Sequence, residues 1–338
     1  MKAIYTPAEL DSLPLPTIAE RHKVHLINPA SGSHRKADRI IQMIRSKIEG
    51  TDAEVIVSKH PGDIEALAKK ACLDDPYAHI IIYGGDGTVY EAINGIIDSL
   101  CSATVSFSVI PMGSGNDFSA YANDSDIFEK AELNQIDAIH VYCANRESYY
   151  VNMMNIGFDC SVVRETYSLK KNPLFHGNAA YIAGVVKTLI SKKPTEAKIT
   201  LTGVAESTDD NLLTSPMSSV TIEKSLLLTA AANSQFCGGG FRAAPRASIT
   251  DGLIDVLLVN DISRRKFISL VGDYRSGSYI GKDGKLIPSY NNILTYVKCK
   301  GFEIEGADAF CLDGEVFPTR GAKVSANVVP KALWFAAL

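Results

Sequence analysis

Three short segments carry the residue types that hold phosphate: NPASG at 28–32, GGDGT at 84–88 and PMGSGND at 111–117. Glycines let backbone N–H groups approach an oxyanion closely, and a helix that starts at such a loop adds a favourable dipole. Ser31, Thr88, Ser114 and Asn116 supply further donors. Gly84, Gly85 and Gly87 exceed what a single turn requires. Asp86 is the odd member, because a carboxylate inside a phosphate cradle repels its ligand unless a cation lies between them. Its presence implies Mg²⁺. Plainer readings exist for each segment. Thr88-Val89-Tyr90-Glu91 has the form of a capping box, and Asn-Pro and Gly-Ser-Gly-Asn are ordinary loop punctuation. Three such segments together weigh against them. The spacing excludes a dinucleotide fingerprint, a P-loop and the protein-kinase motif set.

Periodicity says what must position these loops. Short apolar runs at 24–28, 54–58, 79–83 and 105–110 read as strands, with amphipathic helices between them at 36–49, 63–73 and 88–98. That alternation predicts βαβ units, a parallel sheet and helices on both faces. All three loops then follow strands, and an open parallel sheet gathers its ligands at the strands' carboxyl ends. After about residue 137 the texture becomes β-rich: runs at 149–156, 197–202, 218–222, 226–232, 254–259, 293–299, 302–305 and 310–317. Asp251-Gly252, Asp283-Gly284 and Asp313-Gly314 mark turns among them. Helical patterns at 178–191 and 264–274 interrupt this half. The expected architecture is an α/β domain over 23–136, a mostly antiparallel second domain over 137–329, and an N-terminal arm over 1–22.

Composition agrees with two globular domains. At 338 residues the chain exceeds what one core usually serves. It is 46% hydrophobic and 21% charged, and its net charge of −4 excludes a nucleic-acid binder dominated by phosphate neutralisation. Seven singly scattered cysteines, with no C-x-x-C pair, read as buried thiols in a reducing compartment. No secretory leader and no apolar stretch of membrane-spanning length is expected, which predicts a cytoplasmic protein with peripheral membrane contact.

The motifs together resemble the diacylglycerol-kinase catalytic family of lipid kinases, and its soluble bacterial branch above all. NPASG, GGDGTVYEAINGI and PMGSGNDF occur in that order and spacing. The likeness continues through NMMNIGFDCSVV, CGGGFRAAPRASITDGLIDV and CLDGEVF, covering roughly 23–318. The GGDGT turn is shared with NAD kinases and phosphofructokinases; GSGND and the late DGE make the signal specific. The resemblance implies a nucleotide domain plus a β-sandwich, with a C-terminal strand within 330–338 returning to the first domain. It places ATP at Asn28, Pro29, Ala30, Ser31, Gly32, Ser58, Gly84, Gly85, Asp86, Gly87, Thr88, Glu91, Gly113, Ser114 and Asn116. Asp86 matches the aspartate that works with Mg²⁺, and Asp137 one that orders the metal and water network. Asp313 and Glu315 match a late acidic pair whose glutamate accepts a proton. Ser248, Asp251 and Leu253 match a second, structural metal position made mostly of backbone carbonyls.

Read without the likeness, Asp313-Gly314 is a hairpin turn like others in the chain. Glu315 has the better physical case: phosphoryl transfer needs an acceptor for the hydroxyl proton, and the first domain shows none, so a cleft between the domains is expected. The leading expectation is an ATP- and Mg²⁺-dependent lipid kinase acting on diacylglycerol or a related lipid. A kinase of a soluble hydroxylated metabolite (NAD-kinase-like) and a catalytically silent nucleotide sensor are the alternatives. The partner expectations are a lipid substrate, a membrane surface, a homodimer and no nucleic acid. Lys170-Lys171, Lys192-Lys193 and Arg264-Arg265-Lys266 are basic spots suited to anionic headgroups, or simply solvated charges. The arm and the polar loop at 203–217 have no counterpart in the motif set.

Overall fold

The first half builds a parallel sheet from short runs of β-branched residues. In the computed structural model these are β1 (Lys23–Ile27), β2 (Glu54–Val57), β3 (His79–Gly84) and β4 (Ser106–Pro111). They alternate with α1 (His34–Ile48), α2 (Asp63–Asp74), α3 (Asp86–Asp98) and α4 (Asp117–Asp124). The structure describes residues 15–32, 34–124, 133–170, 178–191, 193–209, 212 and 215–337. Thus most of the expected arm, Lys171, Lys192 and part of the 203–217 loop lie outside the described residues. The described chain divides into two compact units: one runs up to Asp137 and resumes at Lys331, and the other is Ala138–Pro330.

In the first unit the strands run in the order β2-β1-β3-β4, all parallel. Every residue of β3 is buried, as expected of a strand covered on both faces. Ile27, Ile81, Tyr83 and Met112 form a core with Ala37 and Ile44 of α1. The last strand, β16 (Val324–Ala336), adds to β4 in parallel at Trp334 and Phe335. Polar side chains hold it there. Ser108 Oγ donates to the Ala336 carbonyl at 2.8 Å, and Trp334 Nε1 donates to the Ala103 carbonyl at 3.0 Å. His79 lies between Ser106 (2.9 Å) and Ser108 (3.0 Å), so this buried imidazole is satisfied at both nitrogens. Burial and the nearby Arg21 push its pKa down to about 4.

The second unit is antiparallel. It contains β5 (Leu133–Cys143, shared with the first unit), β6 (Arg146–Tyr150), β7 (Met153–Gly157), β8 (Thr195–Val204), β9 (Glu206–Ser207) and β10 (Ser215–Ala232). After these come β11 (Ile254–Asn260), β12 (Leu294–Cys299), β13 (Gly301–Glu305), β14 (Ala309–Leu312) and β15 (Glu315–Pro318). Its helices are α5 (Phe158–Lys170), α6 (Asn178–Ile190) and α7 (Arg264–Ser276). The long strand β10 pairs antiparallel with β8 along its first part and with β7 and β11 along its last, so it ties three strands together.

Several expectations are corrected. The run at 149–156 is two strands, because the Asn152 carbonyl accepts the amides of Asn233 and Ser234 instead of a ladder partner. The runs at 218–222 and 226–232 are one strand; Glu223 stays in it opposite Lys198, and Ser225 Oγ donates to Glu196 at 2.5 Å. The expected turn at Asp313-Gly314, by contrast, is present: it divides 310–317 into a hairpin, and both turn residues have positive φ. Strand β5 and helices α4 and α5 have no counterpart in the sequence reading. Thr88 is not a cap: α3 already begins at Asp86, with Gly85 as its extended N-cap. The cysteines are free, and burial pushes the Cys72 and Cys299 thiols up to about 12, so they pack as apolar groups.

Candidate active site

The three glycine-bearing loops meet at the carboxyl ends of β1, β3 and β4. Asn28 Nδ2 donates to Thr88 Oγ1 at 3.0 Å, and Ser31 Oγ lies 3.2 Å from the same oxygen. Within the first loop, Asn28 Oδ1 accepts the Ala30 amide (3.0 Å), closing an Asx turn. The side chains of Asn28, Ser31 and Thr88 therefore form one polar cluster between the first two loops. Pro29 is half-buried, while Ala30 and Gly32 are exposed at the rim.

The second and third loops touch through glycine. A Cβ on Gly113 would stand 2.6 Å from the Gly85 Cα, and one on Gly85 would stand 2.9 Å from the Gly113 Cα. Backbones this close admit no side chain at either position. Asn116 locks the third loop: its Oδ1 accepts the Gly113 amide and its Nδ2 donates to the Gly113 carbonyl, both at 2.8 Å. Its own φ of +59° is one that asparagine tolerates. Ser114, at the tip of this loop, is exposed.

At this junction two carboxylates converge. Asp86 is the first residue of α3 and Asp117 the first of α4. A Cβ on Gly115 would lie 2.7 Å from Asp86 Oδ2 and 3.3 Å from Asp117 Oδ2, so both acids face the space that this glycine leaves open. Asp86 Oδ1 accepts the Phe118 amide at 3.2 Å, and the amides of Asn116 and Asp117 also lower its pKa. Burial first, and then the Asp117 charge, still hold Asp86 well above the ordinary carboxylate range. Helix-end dipoles alone do not neutralise this pair. A site with two carboxylates suits Mg²⁺, which takes one or two carboxylates plus substrate phosphates rather than an all-protein cage. Among the described residues no group of three or more metal-ligating side chains exists to form such a cage.

The sequence reading quoted Asp117 but assigned it nothing. The only signal was partial: in GSGND, as in GGDG, a glycine loop precedes an acid that opens a helix, but nothing in the order says what that acid faces. Glu91 lies half-buried one turn into α3, and Ser58, buried at the end of β2, donates its amide to the Ile27 carbonyl. Asp137 is buried and accepts the Lys331 amide at 2.8 Å, a bond that secures the returning chain.

In the second unit Asp313 is buried in the β14–β15 turn. Its Oδ1 accepts the Met153 amide at 2.8 Å, and its amide donates to the Met153 carbonyl at 3.2 Å. Glu315, opposite Leu312 in the ladder, is exposed. Asp251 uses both side-chain oxygens: Oδ1 accepts the Leu253 amide (3.1 Å) and Oδ2 the Lys298 ammonium (2.7 Å). Lys298 also reaches Asp255 at 2.9 Å. The Asp251 carboxylate thus has its counter-cation. A metal there would be held by the main-chain carbonyls of Ser248, Asp251 and Leu253.

Both halves of the chain match known domain families. The family model described as the diacylglycerol kinase catalytic domain matches residues 22–143, and the one described as the YegS C-terminal NAD kinase beta sandwich-like domain matches residues 152–337. The chain belongs to the YegS and diacylglycerol kinase family, the second of these models alone spanning more than half of it. A "Probable lipid kinase YegS-like" of Shewanella frigidimarina is 28% identical over 87% of this chain and 87% of its own length. A diacylglycerol kinase of Mycobacterium tuberculosis is 25% identical over 91% and 92%. The crystal structure of a diacylglycerol kinase from Bacillus anthracis shares the fold, with a TM-score of 0.58 at 19% identity, covering 94% of this chain and 97% of that one. Membership of this lipid-kinase family implies ATP use and phosphoryl transfer to a lipid-like substrate. Among the described residues no helix is long and apolar enough to cross a membrane.

Proposed function

We propose that the protein transfers the γ-phosphoryl group of ATP to the hydroxyl of diacylglycerol or a related lipid, with Mg²⁺ held by Asp86 and Asp117. The observation that carries this reading is the pair of carboxylates facing the gap at Gly115, amid backbone donors of two helix starts. The loops at 28–32, 84–88 and 113–116 bind the nucleotide, with Ser58 and Glu91 at their margin. Bound Mg²⁺ supplies charge neutralisation on the phosphates, which is the main requirement of phosphoryl transfer. Glu315, exposed and with an ordinary turn beside it, accepts the proton of the lipid hydroxyl; Asp313 positions that turn through its bonds to Met153. Asp137 supports the metal network through the strand it anchors. In this reading a nucleotide domain over 23–136 plus the last strand carries Asp86 and Asp117, and an acceptor domain over 137–329 carries Asp313 and Glu315.

The test is ATP- and Mg²⁺-dependent phosphorylation of diacylglycerol in mixed micelles, comparing wild type with Asp86→Asn, Asp117→Asn and Glu315→Gln. All three substitutions should abolish turnover, while only the first two weaken Mg²⁺-dependent ATP binding. Turnover unaffected by Asp117→Asn would refute the two-carboxylate site. ATP binding without lipid turnover in the wild type would shift the reading to a soluble acceptor such as a nucleotide.

A further inference from the structure

Helix α7, RRKFISLVGDYRS, breaks a local rule. Its first turn holds Arg264, Arg265 and Lys266 and no acid, although the helix dipole favours negative charge there. The Ser263 side chain caps the Lys266 amide at 3.3 Å, but this does not neutralise three cations. Arg264 has a structural reason to be present: its guanidinium donates to the carbonyls of Leu189 (2.9 Å) and Ile190 (2.7 Å), capping the C-terminal end of α6. Arg265 and Lys266 have none. Among the described residues neither forms an ion pair, and both are exposed.

The Arg264 clamp also assembles two exposed isoleucines. Ile190, whose carbonyl it holds, is 69% exposed, and Ile268, one turn along α7, is 62% exposed. Phe267 and Leu270 point the opposite way into the core, so α7 buries one apolar stripe and leaves Ile268 outside it. Lys187 on α6 is already paired with Glu165 at 2.6 Å, whereas Lys193 just beyond is exposed. The helix carries four cations (Arg264, Arg265, Lys266, Arg275) against one acid, Asp273, in a chain whose net charge is −4. The excess is local.

We infer that the joined ends of α6 and α7, with Ile190 and Ile268 amid Arg265, Lys266 and Lys193, dock onto an anionic bilayer surface. Cations attract a negatively charged leaflet, and apolar side chains among them enter the headgroup boundary; neither alone suffices for stable peripheral binding. A protein partner is the weaker fit, because protein interfaces are depleted of lysine at their centres and require a larger apolar patch. A nucleic acid or other soluble polyanion would leave the isoleucines without a role. The inference goes beyond the lipid-kinase reading, to which it would supply a route to a membrane-resident substrate.

The test is co-sedimentation of the full chain, without ATP, with vesicles of phosphatidylcholine alone and of phosphatidylcholine carrying about a third phosphatidylglycerol. Wild type should bind the anionic vesicles and scarcely the neutral ones. Arg265→Gln/Lys266→Gln should lower the partition coefficient about tenfold or more. Ile190→Ser/Ile268→Ser should lower it severalfold and make the remainder fully reversible by salt. Unchanged melting temperatures check that these surface variants fold, and Lys266→Gln alone serves if a double variant does not. Variants that bind as wild type does, or a wild type that ignores anionic vesicles, would overturn the inference. So would a loss seen only in the charge variant, with heparin competing fully, which would mark a polyanion site. Because the readout needs no turnover, failure here leaves the kinase reading to be judged on its own assay.

Discussion

Adding one methyl group at Gly115 tests whether the carboxylate pair is the working centre. In Gly115→Ala the new Cβ would sit 2.7 Å from Asp86 Oδ2, well inside the separation that real side chains show, and 3.3 Å from Asp117 Oδ2. Asp86 has little freedom to retreat, because its other oxygen accepts the Phe118 amide at 3.2 Å. Relief must come from turning the carboxylate away from the Asp117 side or from displacing the loop that Asn116 fastens. Overpacking of this kind costs about 1–3 kcal/mol. If the strain falls on the metal-binding geometry, that range corresponds to a loss of about 5- to 150-fold in kcat/KM. The assay is Mg²⁺-dependent lipid phosphorylation across Mg²⁺ concentrations, with thermal unfolding measured alongside. The Mg²⁺ concentration for half-activity should rise and the melting temperature should fall only modestly. A variant within twofold of wild type at every Mg²⁺ concentration would refute the reasoning, since the acids would then not need the geometry seen here.

Two further expectations concern stability. His79 is held neutral in the fold, its pKa depressed from 6.5 to about 4, so its contribution is complete above pH 6.5 and is lost as pH falls toward 4. Between neutral pH and about pH 4.5 the loss should be roughly 2–3 kcal/mol, read as the difference in urea-unfolding free energy between wild type and His79→Gln; parallel pH profiles would count against it. Lys298→Met would leave the buried Asp255 without its cation and should destabilise the protein by about 3–5 kcal/mol. Converting Asp255 to Asn in the same chain should restore part of that loss in chemical denaturation; no restoration would mean that packing around Lys298, not charge, accounts for it.

The rim of glycine loops proposed to bind phosphate was legible because its determinants are local. A run such as His79–Gly84 is buried whatever surrounds it, and glycines after it mark a turn toward a helix, so 28–32, 84–88 and 111–117 could be assigned to one sheet edge from periodicity alone. The likeness to lipid kinases extended this to Asp137, Asp313 and Glu315, whose neighbours in sequence are ordinary turn and strand residues. What the chain did not reveal depends on partners distant in sequence. Strand β5 carries Asn134, Gln135, Asp137 and His140 and lacks clean alternation; Asp137 is tolerated there because it receives the Lys331 amide from 194 positions away. Strand β10 continues through Glu223-Lys224-Ser225 because Lys198 and Glu196 lie opposite. Asp117 is the sharpest case. Nothing about one acid after GSGN says that it faces Asp86, 31 positions earlier; that follows from β3 and β4 being adjacent and from Gly85 and Gly113 letting their loops touch. Residue type and spacing determined which groups could bind phosphate, whereas the pairing of strands decided which two carboxylates share one space.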